Sequence, residues 1–244
     1  MKIQLNCRTI NSPGFSEPGQ ELKIYYGNSI NFIQTIPMLA NYLSDHEKQR
    51  ANRFKNRSDH YCYIAVHALL RIELSKLLKI EPELLPIINI LNGKPCLESK
   101  EIPFSLSRSK SKFVFAIGKQ NQSLGIDLEE ICTDLDLSSI YMTIFGKKEQ
   151  RAIIKLENQH EKYSFFYTNW TRREALLKAL GIGINTDLKK IQVFDGESII
   201  KIDGLKQAHR RFYLTTLLNS MTIMSIASST DCNPGIYELT GVLE

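Results

Sequence analysis

The spacing of apolar residues divides the chain into two successive blocks, each with helices followed by strands. In the first block, "LSDHEKQRANRF" predicts a helix that Ser44 and Glu47 open as a capping box. A longer helix is predicted in "SDHYCYIAVHALLRIELSKLLKI", because apolar residues recur at 64, 66, 69, 70, 74, 77 and 78. Short strands are predicted in "KIQLNC", "ELKIYY" and, as a pair around a cationic turn, "IPFSLSRSKSKFVFAIG".

The second block has the same order of elements. "QSLGIDLEEI" predicts a strand, and residues 136–180 are predicted to be mostly helical. Four further strands are predicted in "DLKKIQVF", "SIIKI", "RRFYLTTLL" and "MTIMSIASS". The order of elements indicates an α/β (α+β) fold with a junction near residues 120–135, and we expect halves of residues 1–122 and 123–244.

Composition narrows the class of protein. The 244 residues are 43% hydrophobic and 23% charged, which is typical of a folded globular chain. A net charge of +5 suits an anionic ligand but is too small by itself to indicate nucleic acid. The five cysteines are scattered without a C-x-x-C pair, and no run of apolar residues has the length of a membrane span. We therefore expect a cytoplasmic protein that does not bind a membrane.

Two carboxylates share one side of the strand "LGIDLEE". Asp127 and Glu129 alternate with apolar residues, so they lie about 7 Å apart along the strand. Mg²⁺ prefers such oxygen ligands, which makes D-x-E a plausible half of a magnesium site. The alternative is that both side chains lie on the solvated face of an antiparallel strand, where acidic residues are common.

A second candidate group lies in "NWTRREALLKALG", residues 169–181. Helical spacing puts Trp170, Glu174 and Lys178 along one face. They could form a solvated Glu–Lys pair beside an indole, or a carboxylate and an ammonium at a reaction centre. Thr171 and Glu174 also match a capping box, but the upstream "EKYSFFYTNW" is already helical in pattern, which favours Glu174 in mid-helix.

Four motifs in order along residues 92–184 resemble those of the 4'-phosphopantetheinyl transferases of the surfactin-synthetase-activating type. They are "NGKP", "FSLSRSKSKFVFAIG", "LGIDLEE" and "FFYTNWTRREALLKALGIGI". The resemblance covers roughly residues 40–230. It implies two similar pseudo-symmetric halves, each a small sheet packed with helices, with coenzyme A in a cleft between them. It also implies a monomer.

The resemblance further implies a reaction. The phosphopantetheine arm of coenzyme A passes to a serine of an apo acyl or peptidyl carrier protein, and 3',5'-ADP leaves. Mg²⁺ is expected on Asp127, Glu129 and Glu174. Glu174 is the candidate base, directly or through a water, and Lys178 is expected to stabilise phosphate oxygens. The residues expected to contact coenzyme A are Arg50, Arg53, Gly93, Lys94, Pro95, Ser107 and Arg108.

Several positions depart from the family pattern. Arg108 stands where many members have histidine, so it keeps a charge for phosphate but loses proton transfer near neutral pH. Lys110 stands where glycine is frequent, and Arg173 replaces a lysine. Cys62 and Tyr63 occupy helix positions where a basic residue is common.

These departures keep two alternatives open. One is a degenerate member that binds coenzyme A or carrier proteins without catalysis. The other is a basic nucleic-acid-binding module around "KQRANRFKNR", but no zinc or recognition-helix motif is evident, so we expect no nucleic-acid partner. The sequence does not distinguish fatty-acid, polyketide and non-ribosomal peptide carriers.

Overall fold

The chain forms two compact units. The computed structural model describes residues 3–9, 19–90, 93–183, 187–191, 193, 196–200, 210–219 and 221–243. The first unit comprises Met1–Asn89, Pro95–Asn121 and Cys232–Glu244, and the second comprises Ile90–Lys94 and Gln122–Asp231. The C-terminal strand pairs within the sheet of the first unit, and Ile90–Lys94 belongs to the second unit. The division into halves of residues 1–122 and 123–244 stays a prediction.

The described residues contain the following elements. The helices are α1 (Ile36–Leu39), α2 (Asp45–Ala51), α3 (Arg57–Leu78), α4 (Leu137–Ile144), α5 (Lys147–Lys155) and α6 (Gln159–Leu180). The strands are β1 (Ile3–Thr9), β2 (Gly19–Asn28), β3 (Ile87–Asn89), β4 (Pro95–Leu97), β5 (Phe104–Ser109), β6 (Lys112–Ile117), β7 (Leu124–Glu130), β8 (Gly196–Ile200), β9 (Arg210–Asn219), β10 (Thr222–Ser228) and β11 (Pro234–Leu243).

The first unit is a five-stranded sheet with α3 packed on it. Its strand order is β1-β11-β2-β6-β5, in which β11 and β2 are parallel and the other neighbours are antiparallel. The apolar stripe of α3 predicted from the sequence supplies much of the core, including Ile64, Val66, Leu69, Leu70 and Leu74. β3 and β4 form a separate two-stranded ladder.

The second unit is a four-stranded antiparallel sheet covered by α6. Its strand order is β7-β10-β9-β8. The core lies between α6 and the sheet, with Leu176 and Leu177 of the helix near Phe212 and Leu214 of β9. Each unit therefore has a small sheet packed with a 22-residue helix, as the sequence predicts for an α/β fold.

Most local predictions are confirmed. Ser44 and Glu47 form both hydrogen bonds of a capping box at α2, and β5 and β6 form the predicted hairpin. One prediction is wrong: "DLKKIQVF" contains a short 3-10 helix, Leu188–Lys190, that Asp187 caps, and not a strand. Its apolar alternation reflects the burial of Leu188, Ile191 and Val193 in the core. Of the predicted strand "SIIKI", residues 201–202 lie outside the described residues, and β8 covers the rest.

Within the described ranges, no helix is long and apolar enough to cross a membrane. The cleft between the two halves stays a prediction.

Candidate active site

A glycine brings α6 onto the strand that carries the candidate carboxylates. A Cβ atom at Gly125 would lie 1.8 Å from the carbonyl oxygen of Ala175 and 2.5 Å from the nitrogen of Ala179. No side chain fits in that space, so the helix backbone lies directly on β7. Because alternate residues of a strand share a face, Asp127 and Glu129 point to the same side as Gly125, toward α6.

Asp127 is held in this interface by a lysine. Its side chain is buried, with 4% of its surface exposed, so the solvated-face alternative is wrong for this residue. Lys178 Nζ donates to Asp127 Oδ1 at 2.8 Å and to the carbonyl oxygen of Ile126 at 3.0 Å. The expected pairing of Lys178 with Glu174 is therefore corrected, because the helix turns the ammonium toward the strand. α6 already runs through Thr171, which confirms Glu174 in mid-helix.

Lys94 ties the same two elements together. Its ammonium donates to the carbonyl oxygen of Leu124, at 2.9 Å, and to that of Lys178, at 2.6 Å. One oxygen belongs to the first residue of β7 and the other to the last turn of α6. A cation at this end of a helix also interacts favourably with the helix dipole. Lys94 therefore has a structural contact in the second unit. Its expected contact with a nucleotide stays a prediction.

Glu174 has the chemistry of an unsatisfied carboxylate. Its Oε1 atom is buried and has no hydrogen-bond partner among the described residues. Burial is the largest cause that raises the pKa of Glu174, and the negative charge of Asp127 raises it further, to about 7. Lys178 opposes this rise and Glu129 adds to it. All three predicted carboxylates are thus close enough to interact electrostatically.

The carboxylate oxygens of Asp127, Glu129 and Glu174 are the type of donor that a hard divalent cation prefers. A buried carboxylate oxygen that lacks a donor is costly, and a cation shared with neighbouring carboxylates removes that cost. Oxygen-only donors suit Mg²⁺. In the described part of the chain, however, no three acidic, histidine or cysteine side chains already have metal-binding spacing, and Asp127 faces the Lys178 ammonium. Metal binding by Asp127, Glu129 and Glu174 stays a prediction.

A chain of hydroxyl groups joins α6 to β10 and β9 next to Asp127. Ser225 of β10 lies opposite Asp127 in the ladder. Its hydroxyl is 2.8 Å from that of Thr171 and 3.1 Å from that of Thr216. Arg172 Nε donates to Thr216 Oγ1 at 2.7 Å. These contacts fix the face of α6 that presents Glu174 and Lys178.

Two other residues of α6, Arg173 and Trp170, belong to the core of the second unit. Arg173 is fully buried, and its Nη2 donates to both carboxylate oxygens of Glu149 at 2.5 Å. Its Nη1 donates to the carbonyl oxygen of Asn169 at 3.0 Å. Arg173 thus joins α5 to α6. Trp170 packs partly buried against the same core, as expected for a core anchor.

In the first unit, the candidate phosphate contacts gather around one aromatic ring. The guanidinium carbon of Arg50 lies 5.8 Å from the centre of the Tyr63 ring, and that of Arg108 lies 5.9 Å from it. Arg108 also lies 4.8 Å above Phe54 and 4.0 Å from Asp59. Tyr63, which replaces a basic residue of the pattern, therefore supports two cations from α2 and β5.

A cavity of about 280 Å³ opens beside this ring. Its lining includes Arg50, Tyr63, Pro95 and also His67, which the sequence analysis missed. His67 lies one helical turn after Tyr63, so the two rings share a face of α3. This spacing was the sequence signal that could have indicated His67, since Tyr63 lies beside two predicted phosphate contacts. The structure thus brings Arg50, Pro95 and Arg108 into one region.

The other predicted coenzyme A contacts lie apart from this ring or serve the backbone. Arg53 is exposed at the end of α2. Ser107 is largely buried in β5. Gly93 has φ 76°, the left-handed region that glycine adopts readily. Their contacts with coenzyme A stay predictions.

Lys110 is one of the departures from the family pattern, and its backbone conformation shows what the replacement of glycine changes. It has φ 51° in the turn between β5 and β6, which is the backbone region that favours glycine. The lysine therefore occupies a glycine-type turn at a conformational cost, and the backbone has not changed to the conformation that lysine prefers.

Comparison with known proteins defines the class. Residues 123–220, which hold β7, α6 and all three carboxylates, match the family model of the 4'-phosphopantetheinyl transferase superfamily. The chain belongs to this superfamily, as its motifs predict.

Curated relatives agree with this assignment. The chain is 33% identical over 159 residues to the 4'-phosphopantetheinyl transferase HetI of a Nostoc species, covering 64% of this chain and 66% of HetI. It is 27% identical to a putative 4'-phosphopantetheinyl transferase of a Synechocystis species, covering 70% and 69%. It is 24% identical to the 4'-phosphopantetheinyl transferase Sfp of Bacillus subtilis, covering 72% and 76%. The matches to HetI and to the Synechocystis protein therefore span about two thirds of the relatives' lengths.

Proposed function

We propose that the protein transfers the 4'-phosphopantetheine arm of coenzyme A to a serine of an apo acyl or peptidyl carrier protein and releases 3',5'-ADP. The observation that carries the proposal is the partly buried Glu174 carboxylate, whose Oε1 atom is buried without a hydrogen-bond partner and whose pKa is raised to about 7 beside Asp127 and Glu129. A base is most effective when its pKa lies near the working pH, and this group meets that condition. Membership of the transferase superfamily supports the same reaction.

The proposed step replaces one phosphorus–oxygen bond of coenzyme A with another. The serine oxygen forms a bond to the β-phosphorus of coenzyme A, and the bond from that phosphorus to the oxygen of the leaving 3',5'-ADP breaks. Glu174 accepts the serine proton, directly or through a water, so that the hydroxyl becomes a competent nucleophile. No electron transfer is involved.

The neighbouring side chains hold charge in place for this step. Lys178, fixed between Asp127 and the backbone of β7, supplies a positive charge next to the base. That charge stabilises the negative charge that develops on the phosphate oxygens. Asp127, Glu129 and Glu174 would hold Mg²⁺, which supplies charge neutralisation for the pyrophosphate when it is bound.

Coenzyme A binding is assigned in this proposal to the cations of the first unit. Arg50 and Arg108 both approach Tyr63, and arginine binds phosphate through a planar fork of donors. Arg53, Gly93, Lys94, Pro95 and Ser107 remain further proposed contacts. The protein is also proposed to act as a monomer in the cytoplasm, which size-exclusion chromatography with light scattering and cell fractionation would test.

The deciding experiment follows the mass of a carrier protein. The purified protein is incubated with coenzyme A, Mg²⁺ and several apo carriers from fatty-acid, polyketide and peptide synthesis. We expect one carrier to gain the mass of phosphopantetheine, and Asp127→Ala and Glu174→Ala to abolish the gain while circular dichroism stays unchanged. No gain on any carrier would contradict the proposal.

Arg108 in place of histidine favours one alternative, which is coenzyme A binding without transfer. The same mixture separates the two functions. If calorimetry detects tight coenzyme A binding while every carrier keeps its mass, the degenerate binding protein is the better description.

A further inference from the structure

The pocket beside Tyr63 contains a histidine that the proposed reaction does not use. His67 lines the cavity together with Ser44, Glu47 and Arg50, and 13% of its side-chain surface is exposed. Its ring stacks on Tyr63, with centroids 4.1 Å apart and an interplanar angle of 30°. The imidazole is therefore fixed in position next to two arginines that point at the same aromatic ring.

Among the described residues that line the cavity, Glu47 is the one carboxylate, and it is committed to other partners. Glu47 Oε2 accepts from Arg71 Nε at 2.6 Å and from the nitrogen and hydroxyl of Ser44 at 3.0 Å. Burial opposes the charged form of Glu47, but hydrogen bonds from His67 and Arg71 lower its pKa. Glu47 is thus ionised at neutral pH and accepts hydrogen bonds only.

This carboxylate sets the tautomer of His67. Nδ1 lies 3.2 Å from Glu47 Oε1, and since the carboxylate cannot donate, Nδ1 carries the hydrogen. The neutral ring then has a bare lone pair at Nε2. Burial is the main cause that lowers the pKa of His67; the hydrogen bond and charge of Glu47 oppose it, the charges of Arg50 and Arg108 add to it, and the net direction is down. In the absence of an anion, the ring is therefore held neutral.

We propose that His67 is a proton-coupled ligand for a phosphate group of coenzyme A. A phosphate placed among Arg50, Arg108 and His67 reverses the electrostatic balance at the ring. Nε2 takes up one proton and donates a hydrogen bond to a phosphate oxygen, while Nδ1 keeps its bond to Glu47. The inference rests on the proposed function, because that function supplies coenzyme A as the ligand.

The charged surroundings determine the direction of the pH dependence. The ionisable groups that face His67 are Glu47 and Arg50 of α2, Tyr63 and Arg71 of α3, and Arg108 of β5, with the exposed His46 at the cavity rim. Among these described groups, His67 is the imidazole that stacks on Tyr63 inside the cavity. The pKa of His67 is low before coenzyme A binds and higher afterwards. Binding therefore takes up protons, and the affinity falls as pH rises between these two pKa values.

Isothermal titration calorimetry of the full chain with coenzyme A tests the inference. Titrations from pH 6.5 to 8.5, each in two buffers of different ionisation enthalpy, count the protons taken up. We expect wild-type affinity to fall as pH rises between the free and bound pKa values of His67, by up to about tenfold for each unit by which coenzyme A raises that pKa. His67→Gln should bind with little pH dependence, whereas His160→Gln, at an exposed position on α6 outside the cavity, should behave as wild type.

Two further measurements keep the test decisive. The NMR resonances of His67 in the wild-type protein report its pKa directly, and coenzyme A should raise that pKa even if His67→Gln folds poorly. Dephospho-coenzyme A identifies the group that is bound: loss of the proton uptake assigns the terminal monoester, and its retention assigns the pyrophosphate.

Three results would overturn the inference. They are no proton uptake in the wild type, uptake that persists in His67→Gln, or no change in the His67 pKa on coenzyme A binding. If coenzyme A binds and is transferred but these signals are missing, the role of His67 alone fails. If a folded protein binds no coenzyme A at any pH, the transferase proposal fails together with it.

Discussion

Lys178 Nζ lies 2.8 Å from Asp127 Oδ1, so one ammonium links helix α6 to strand β7. The contact joins two side chains that are 51 positions apart in sequence. One turn earlier on the helix, Glu174 has a buried Oε1 atom with no hydrogen-bond partner among the described residues, and the same is true of the second oxygen of Asp127, Oδ2. Each of the two carboxylates therefore keeps one buried oxygen that a bound cation could contact.

Removal of the Lys178 charge should damage both stability and transfer. Lys178→Met leaves Asp127 buried without this ammonium, which should lower the free energy of unfolding by about 1–3 kcal/mol. Transfer should fall on the order of 100-fold, as expected for the loss of one preorganised charge. Urea unfolding and the carrier mass assay measure the two effects. Lys155→Met, at an exposed position on α5, is the control and should change neither.

Glu174 should make the metal-free protein less stable as pH rises. Its pKa is raised from 4.5 to about 7, so the folded state binds more protons than the unfolded state between these values. The free energy of unfolding therefore falls across this window. Glu174→Gln removes that slope and should be more stable than wild type at pH 8 by about 1–3 kcal/mol.

Urea unfolding at pH 5 and pH 8 without metal checks the result for Glu174→Gln. Glu161→Gln, an exposed change on the same helix, should retain the wild-type slope. Equal slopes in wild type and Glu174→Gln would contradict the raised pKa.

Gly125→Ala should displace α6 from β7. The added methyl would overlap the backbone of Ala175, which cannot move without the helix, and overpacking costs about 1–3 kcal/mol or more. Transfer should be lost even though no predicted ligand is changed. Gly93→Ala is the contrast, because no atom lies within 4 Å of its Cβ position and only its positive φ is strained. That change should cost about 1 kcal/mol. Thermal unfolding distinguishes the two variants.

Arg173 should tolerate lysine but not alanine. Arg173→Ala leaves Glu149 partly buried without its partner, and breaking a buried pair costs about 3–5 kcal/mol. Arg173→Lys keeps the charge and loses the paired donors, so it should cost less and retain transfer. The pair of variants is compared by denaturant unfolding and by the rate of carrier modification. Equal stability of both variants would show that the charge of Arg173 is unimportant.

Lys110→Gly should stabilise the protein. The lysine has φ 51°, and glycine adopts this region without the steric cost that a Cβ imposes. We expect a gain of about 0.5–1 kcal/mol in the free energy of unfolding, reduced by the greater entropy of glycine in the unfolded chain. Asn121→Gly, at φ 65° in another turn, is a matched change with a smaller expected gain because asparagine tolerates this region.

Local patterns predicted the elements that carry the site. The capping box of α2, the apolar stripe of α3 and the alternation of β7 are each properties of neighbouring residues, and they appear as predicted. The position of Glu174 in mid-helix followed from the upstream helical pattern. The three-carboxylate set came from the family resemblance, because no short-range pattern connects Asp127 to Glu174.

Long-range contacts were not predictable in this way. Lys178 turns to Asp127 and not to Glu174, because the close approach at Gly125 brings β7 within reach of its ammonium. Lys94 binds backbone oxygens of β7 and α6, although its sequence turn gives no sign of either partner. The role of His67 likewise depends on Glu47 of another helix, which fixes its ring nitrogen.

The insertion of β11 between β1 and β2 has a consequence for how the protein is made. Its partners are synthesised at the start of the chain, so a nascent polypeptide on the ribosome exposes two unjoined strand edges until the last strand emerges. Closing so long a loop is slow relative to forming a local hairpin. Meanwhile β7 to β10 and α6 are complete, so the second unit should fold before the first.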